Sequence, residues 1–221
     1  MASFLVVEIA IAGLAALPVV AAWAWAWPRV SAGAWRVAIV SLALVPSYVA
    51  FALLLMPLSA IVTGLVGWRA PADAVMPIAA CDRSLLRWAR QGAAYHVVRV
   101  LAGSLFCGSP LWTFYLRLNG ARLGRRVYVN SLFVSDHNLL EFGDDVVIGS
   151  DVHLSGHTVE AGVVRTGRVR LGRGVTVGLG AVVDIDVEVA DGAQIGAMSL
   201  VPKHSRLEPG VYVGAPVHRL R

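Results

Sequence analysis

The chain has 221 residues, 57% of them hydrophobic and only 15% charged, with a net charge of +5. This is too apolar for an average soluble domain and points to a membrane part joined to a folded part. Two cysteines exclude a disulfide framework, and scattered arginines without a binding motif argue against a nucleic-acid partner; anionic lipid heads or a phosphate-bearing cofactor suit the charge better.

Twenty uncharged residues separate Glu8 from Arg29, and thirty-two separate Arg36 from Arg69. About 20 apolar residues cross the hydrocarbon layer, so both stretches are expected to span. LAALPVVAAWA offers small residues of the signal-cleavage type, but no Lys or Arg precedes the run and a second span follows it. Arg29 and Arg36 flank the loop between the spans, whereas Arg69, Arg83, Arg87 and Arg90 follow the second. The expected arrangement is a hairpin over 1–67 in a bacterial-type inner membrane, both termini and the following domain cytoplasmic. Pro46 and Pro57 allow the second span to kink or tilt.

A helical linker is expected over 68–120. Its uncharged run from 100 to 116 is interrupted by Gly108, Ser109 and Pro110 and flanked by His96, Arg99 and Arg117. That pattern predicts a helix or re-entrant segment lying at the membrane surface, with Trp112 and Tyr115 as interfacial aromatics. Cys81 and Cys107 read as small apolar fillers.

From 169 the chain divides into VRLGRG, VTVGLG, AVVDID, VEVADG, AQIGAM, SLVPKH, SRLEPG and VYVGAP. The third positions, Leu171, Val177, Val183, Val189, Ile195, Val201, Leu207 and Val213, are all aliphatic. Earlier sextets put Leu123, Val129, Phe142, Ile148 and Leu154 in the same slot. Period six is the hexapeptide signature of a parallel β-helix, in which stacked coils bury an aliphatic column. The fold class is therefore mainly β: a parallel β-helix over 121–216 behind the hairpin and linker, with a tail at 217–221. Two breaks interrupt it. FVSDHNL offers Ser135, Asp136 or His137 where an aliphatic belongs, and TVEAGVVRTGR, after His157, is one residue short of two sextets. Drift explains such excursions, but these gather Asp136, His137, His157 and Glu160, and departures from a consistent pattern are where sites are expected.

LGRRVYVN, DVHLSGH with its excursion, the sextets and MSLVPKHSRLEPGVYVGAPVHRLR resemble the hexapeptide-repeat acyltransferases over 121–221, especially the galactoside and maltose O-acetyltransferase branch. The resemblance implies His157 as general base, Asn130 holding the acceptor, and Lys203 with Gly214, Ala215 and the tail along coenzyme A. It also implies a homotrimer with sites between neighbouring solenoids. Thr158 stands where the family usually has proline, and the soluble enzymes lack the hairpin. LWTFYLRLNGARLGRRVYVN, SDHNLLEFGDD and GHTVE are further similar to the membrane-embedded terminal part of poly-amino-acid synthetases.

Acyl transfer from a thioester needs a base to take the acceptor's proton, and a neutral histidine suits that work. Glu160 or Asp136 would hold its tautomer, and backbone N–H groups of Gly178 and Gly180, beside Ala181, would meet the oxyanion and cofactor. His137 beside Asp136 is a candidate acceptor contact. His153 is expected to face outward, and Lys203, Arg206, Arg219 and Arg221 gather positive charge for cofactor phosphates. The expected reaction moves an acyl group from a coenzyme A thioester to a hydroxyl or amine, with no permanently bound cofactor or metal. The alternatives are aminoacyl thioesters on a carrier protein, a zinc site of the γ-carbonic anhydrase type, and a non-catalytic trimeric scaffold bound to membrane lipid.

Overall fold

The computed structural model describes residues 2–30 and 33–220, so Arg221 of the expected basic cluster lies outside the described residues. Helices α1 (Ala2–Ala26) and α2 (Ala34–Leu65) lie side by side, joined through a turn at Trp27–Arg29. Trp23 Nε1 donates to Ser47 Oγ at 2.9 Å between them. Most of their large apolar side chains, including Leu14, Leu17, Leu42 and Leu44, are exposed. Ile11 and Ala15 of α1 and Ala52, Leu55, Met56 and Ala60 in the later part of α2 turn into the core.

The linker folds against the solenoid. Strand Val75–Pro77 leads to α3 (Arg83–Val98), whose first turn is capped by Asp82 accepting from Leu85 N at 2.8 Å. A π-type turn at Arg99–Gly103 and a break at Cys107–Ser109 precede helix Pro110–Leu118, started by Pro110 and capped by Ser109. The expectation that Trp112 and Tyr115 lie at a lipid interface is corrected here: both are fully buried, and Trp112 Nε1 donates to Ser131 O at 3.1 Å. Without this helix the first coil would open its aliphatic column to water, so the segment's largest rings close that end. Its other face leaves Val100, Leu105, Leu111 and Phe114 exposed.

From Arg122 the chain visits three parallel sheets in turn. The first face holds Arg122–Leu123, Leu140–Phe142, Val169–Leu171, Val187–Val189 and Arg206–Leu207. The second holds Tyr128–Val129, Val147–Ile148, Thr176–Val177, Gln194–Ile195 and Val211–Val213. The third holds His153–Leu154, Val182–Val183 and Leu200–Val201. Parallel register places Phe142 under Leu171, Ile148 under Val177 and Leu154 under Val183, and all six are buried.

Two slots differ from the period-six reading. Val134, not a polar residue of the first break, is fully buried and bridges Leu154 on the third face. At the far end Tyr212, not Val213, pairs with Ile195 and is buried, because the turn after Leu207 is one residue shorter than a sextet supplies. The tyrosine ring covers the last layer while its hydroxyl donates to Glu208 O at 2.9 Å. The tail then folds back, with His218–Arg219 antiparallel to Val211–Val213.

The second break is a hairpin. His157–Glu160 pairs with Val163–Thr166 around Ala161 and Gly162, both at positive φ as a tight hairpin turn demands. Gly167 N donates to Gly156 O at 2.9 Å and closes its base. Val75–Pro77 of the linker pairs with Val163–Arg165 as a third strand, so linker and hairpin form one small sheet over Met76, Leu85 and Val164.

Candidate active site

His157 leaves the third face where the hairpin begins, and Asp136 comes from the coil before it. His157 Nδ1 lies 2.5 Å from Asp136 Oδ2, across 21 residues. Asp136 is 8% exposed and sits in the left-handed region at φ 50°, which Asp tolerates better than most residues. Gly156 N also donates to Oδ2, at 3.1 Å, and Trp88 Nε1 of α3 donates to Oδ1 at 3.1 Å. Ser135 Oγ donates to Oδ2 as well, at 3.3 Å, so the buried carboxylate is held by four donors, one of them the imidazole. Gly156 is required by contact: a Cβ there would lie 2.7 Å from Leu139 Cδ1 and 3.0 Å from Asp136 Cβ.

Burial works against a charge on His157, but the Asp136 hydrogen bond and the charges of Asp136 and Asp184 outweigh it, so its pKa stands above the ordinary value. With Nδ1–H directed at the carboxylate, Nε2 is the nitrogen left to accept a proton. His157 lines a cleft of about 430 Å³ with Tyr95, Arg99, Phe133, His153 and Asp184. One wall comes from the linker and the other from the third face. His153 faces outward and stacks on Phe133, ring centroids 4.5 Å apart.

Several expected partners are placed elsewhere. Glu160 does not reach His157; Lys203 Nζ lies 2.7 and 2.6 Å from its two carboxylate oxygens. Three residues along a strand put the two side chains on opposite faces, which is why Glu160 cannot share the imidazole. His137 is corrected as an acceptor contact: it is 2% exposed, its Nε2–H donates to Val134 O at 2.9 Å, and Tyr95 packs edge-on at 4.7 Å. Burial is the main cause that pushes its pKa down to about 4, so it is neutral at physiological pH.

The oxyanion assignment is also corrected. Gly178 N already donates to Ile195 O at 2.8 Å and Gly180 N to Ser150 O at 2.9 Å, because stacked coils use these N–H groups to join layers. Ala181 N is likewise bonded to Gly178 O. These residues share a corner with Asn130, whose Nδ2 donates to Ser150 Oγ at 2.7 Å, at the opposite edge of the third face from His157. Gly214 and Ala215 make the turn that reverses the tail, and Arg219 donates to Pro209 O at 2.7 Å. Arg206 is engaged by Asp186 at 2.7 Å. Among the described residues no three His, Cys, Asp or Glu side chains converge as metal ligands.

Sequence reasoning missed the linker's share of the site. Leu85, Trp88, Gln91, Tyr95 and Val98 lie at helical spacing along α3, a signal for a covered face but not for what it covers.

No family model matches the chain. It is 26% identical over 110 residues to the Delta-poly-L-ornithine synthetase of Acinetobacter baumannii, covering 49% of this chain and 8% of that protein. It is 34% identical over 116 residues to the UDP-3-O-acylglucosamine N-acyltransferase of Delftia acidovorans, covering 47% of this chain and 33% of that protein. The chain thus spans a third or less of the length of these curated relatives. Among solved structures it is similar to a hexapeptide-repeat acetyltransferase of Vibrio cholerae complexed with acetyl coenzyme A, at 19% identity over 46% of this chain and 60% of that one, TM-score 0.42. A galactoside acetyltransferase in complex with coenzyme A gives 23% identity over 50% and 69%, TM-score 0.40.

Proposed function

We propose that this chain is a membrane-anchored acyltransferase that moves an acyl group from a coenzyme A thioester to a hydroxyl or amine, with His157 as general base and Asp136 holding its tautomer. The observation that carries this reading is the 2.5 Å contact of His157 with a buried carboxylate at the wall of a cleft. In that reading His157 Nε2 takes the acceptor's proton as its oxygen or nitrogen attacks the thioester carbon. The C–S bond then breaks, and the proton goes to the departing thiolate, so the base returns neutral. A positioned base of this kind is worth about 10² to 10⁴ in rate.

The name of the second curated relative, an N-acyltransferase, supports acyl transfer to nitrogen. The likeness to the poly-ornithine synthetase favours a second reading, an amide-bond-forming unit fed by aminoacyl thioesters on a carrier protein. Membrane anchoring is supported by two apolar stretches, of 24 and 31 residues, most of whose large side chains are exposed among the described residues. We place the β-helix domain, 121–216, on the cytoplasmic side and take its coil as left-handed, the hand the family resemblance implies. A homotrimer follows from the same resemblance, with Asn130 and Ala181 of one copy contributing to a site that His157 opens in another. Lys203, Gly214 and Arg219 lie farther along the solenoid. Coils are spaced by about 4.8 Å, so an extended cofactor reaches from the His157 layer toward the tail.

Detergent-purified full-length protein, offered a panel of coenzyme A thioesters and aminoacyl-loaded carrier proteins, is expected to release thiol and yield an acylated product of defined mass. Lack of thiol release from every thioester would leave a trimeric scaffold as the better account.

A further inference from the structure

We propose that Trp88, on linker helix α3 and outside the solenoid, is a positioning residue for the His157–Asp136 pair, so that the pair is set only when the linker is docked. The inference rests on the reading of His157 as base. It begins with the carboxylate. Asp136 Oδ2 is occupied by His157 Nδ1, Gly156 N and the Ser135 hydroxyl, and Trp88 Nε1 is the donor on Oδ1, at 3.1 Å. An indole is a donor only and carries no charge. It therefore satisfies the second oxygen of a buried carboxylate without neutralising the charge that holds the imidazole, as an arginine there would.

The same ring fixes the imidazole from the side. The Trp88 and His157 rings stand edge to face, centroids 4.9 Å apart at 67°. That geometry is favourable for aromatic pairs and limits rotation of the imidazole about its stem. One side chain thus meets both members of the pair.

Trp88 is itself held by elements tied to the hairpin. It packs on the small core of Met76, Leu85 and Val164, in which Met76 belongs to the linker strand and Val164 to the hairpin strand. Farther along, α3 continues through buried Tyr95 and Val98 into the turn at Arg99–Gly103, where Tyr48 of α2 donates to Leu101 O at 2.7 Å. A continuous packed path therefore runs from α2 to Asp136.

The test is the titration of the His157 imidazole by NMR in the detergent-purified full chain, its resonance identified by loss in His157→Ala. Besides Asp136, the groups facing His157 are Asp184 at the corner below and Tyr95, Arg99 and His153 in the cleft, and all are retained in the variants used. Trp88→Phe keeps the ring and removes the N–H. Asp136 then has more of its charge to offer Nδ1–H, so the midpoint should rise by about half a unit or more. Leu85→Ala loosens the same small core without touching the pair; its midpoint should stay within about 0.2 units of the wild type while its thermal midpoint falls. In the acyl-transfer assay Trp88→Phe should lower kcat about three- to thirty-fold at neutral pH with KM for the thioester little changed.

A Trp88→Phe titration superimposable on the wild type would overturn the proposal, as would an equal shift in Leu85→Ala, which would reduce Trp88 to packing. Full acyl transfer by His157→Ala would instead remove the base reading and leave the Trp88 coupling measurable by titration.

Discussion

Lys203 grips Glu160 with contacts of 2.7 and 2.6 Å to its two oxygens, and this pair fixes the hairpin against the third-face corner two coils beyond His157. The contact holds the Glu160 carboxyl below its ordinary pKa. Both groups are half exposed, so the pair adds little to stability and weakens with salt. Glu160→Gln is therefore expected to leave kcat within about threefold of wild type, since an exposed pair of this kind is worth little. A hundredfold loss in steady-state turnover would mean that Glu160 reaches the reacting atoms.

Asp136→Asn should behave in the opposite way. Its side chain is nearly buried on His157, and an amide there presents the wrong partner to Nδ1 and favours the wrong tautomer. Turnover is expected to fall by about 10² or more. The pH profile carries a second sign. Because the pKa of His157 is raised, the inactive protonated form persists above the ordinary range, so the acidic limb of kcat/KM should lie above about pH 6.5 in the wild type. Removing the carboxylate should move the limb down in whatever activity remains. An unmoved limb would assign it to another group.

The sextets made the column legible because a coil repeats its inward position every six residues, and Leu171 to Val201 occupy that slot as read. Val134 and Tyr212 were not legible because each slot follows the previous one by five residues, a shortening that only strand pairing reveals. His157 stood out as the last residue before the pattern broke. Its partner did not: Asp136 and Glu160 were equal candidates until the hairpin register set His157 opposite Thr166 and turned Glu160 away. Trp88 was the least legible, since its contact with Asp136 spans 48 residues between a helix and a loop that share no pattern.

Gly156→Ala tests how tightly the loop must approach. The added methyl would meet Leu139 at 2.7 Å and the Asp136 Cβ at 3.0 Å, so the backbone carrying His157 must move away. Misplacement by about 1 Å costs on the order of 10² in rate, and overpacking costs about 1–3 kcal/mol of stability. The variant is expected to fold, to melt at lower temperature, and to lose at least about tenfold in kcat with KM less affected. Wild-type turnover would show that the loop repacks without disturbing the pair.

His137 gives the fold an acid sensitivity distinct from that of the chemistry. Burial is the principal cause of its depressed pKa of about 4, against an unfolded value near 6.5; the hydrogen bond to Val134 O and the charge of Asp136 offset it only in part. The unfolded chain therefore binds a proton before the folded one does. The stability due to a neutral His137 is fully present above about pH 6.5 and is lost as pH falls toward about 4, on the order of 3 kcal/mol in total. His157 works in the other direction: its raised pKa contributes stability that is present below its unfolded value and lost as pH rises through the folded one. His137→Gln retains a donor for Val134 O but cannot titrate. It should melt lower than wild type at pH 7.5, and the gap should narrow as pH falls to 4.5, as read from thermal midpoints in detergent. A gap that stays constant across that range would mean that the acid sensitivity of the fold arises elsewhere.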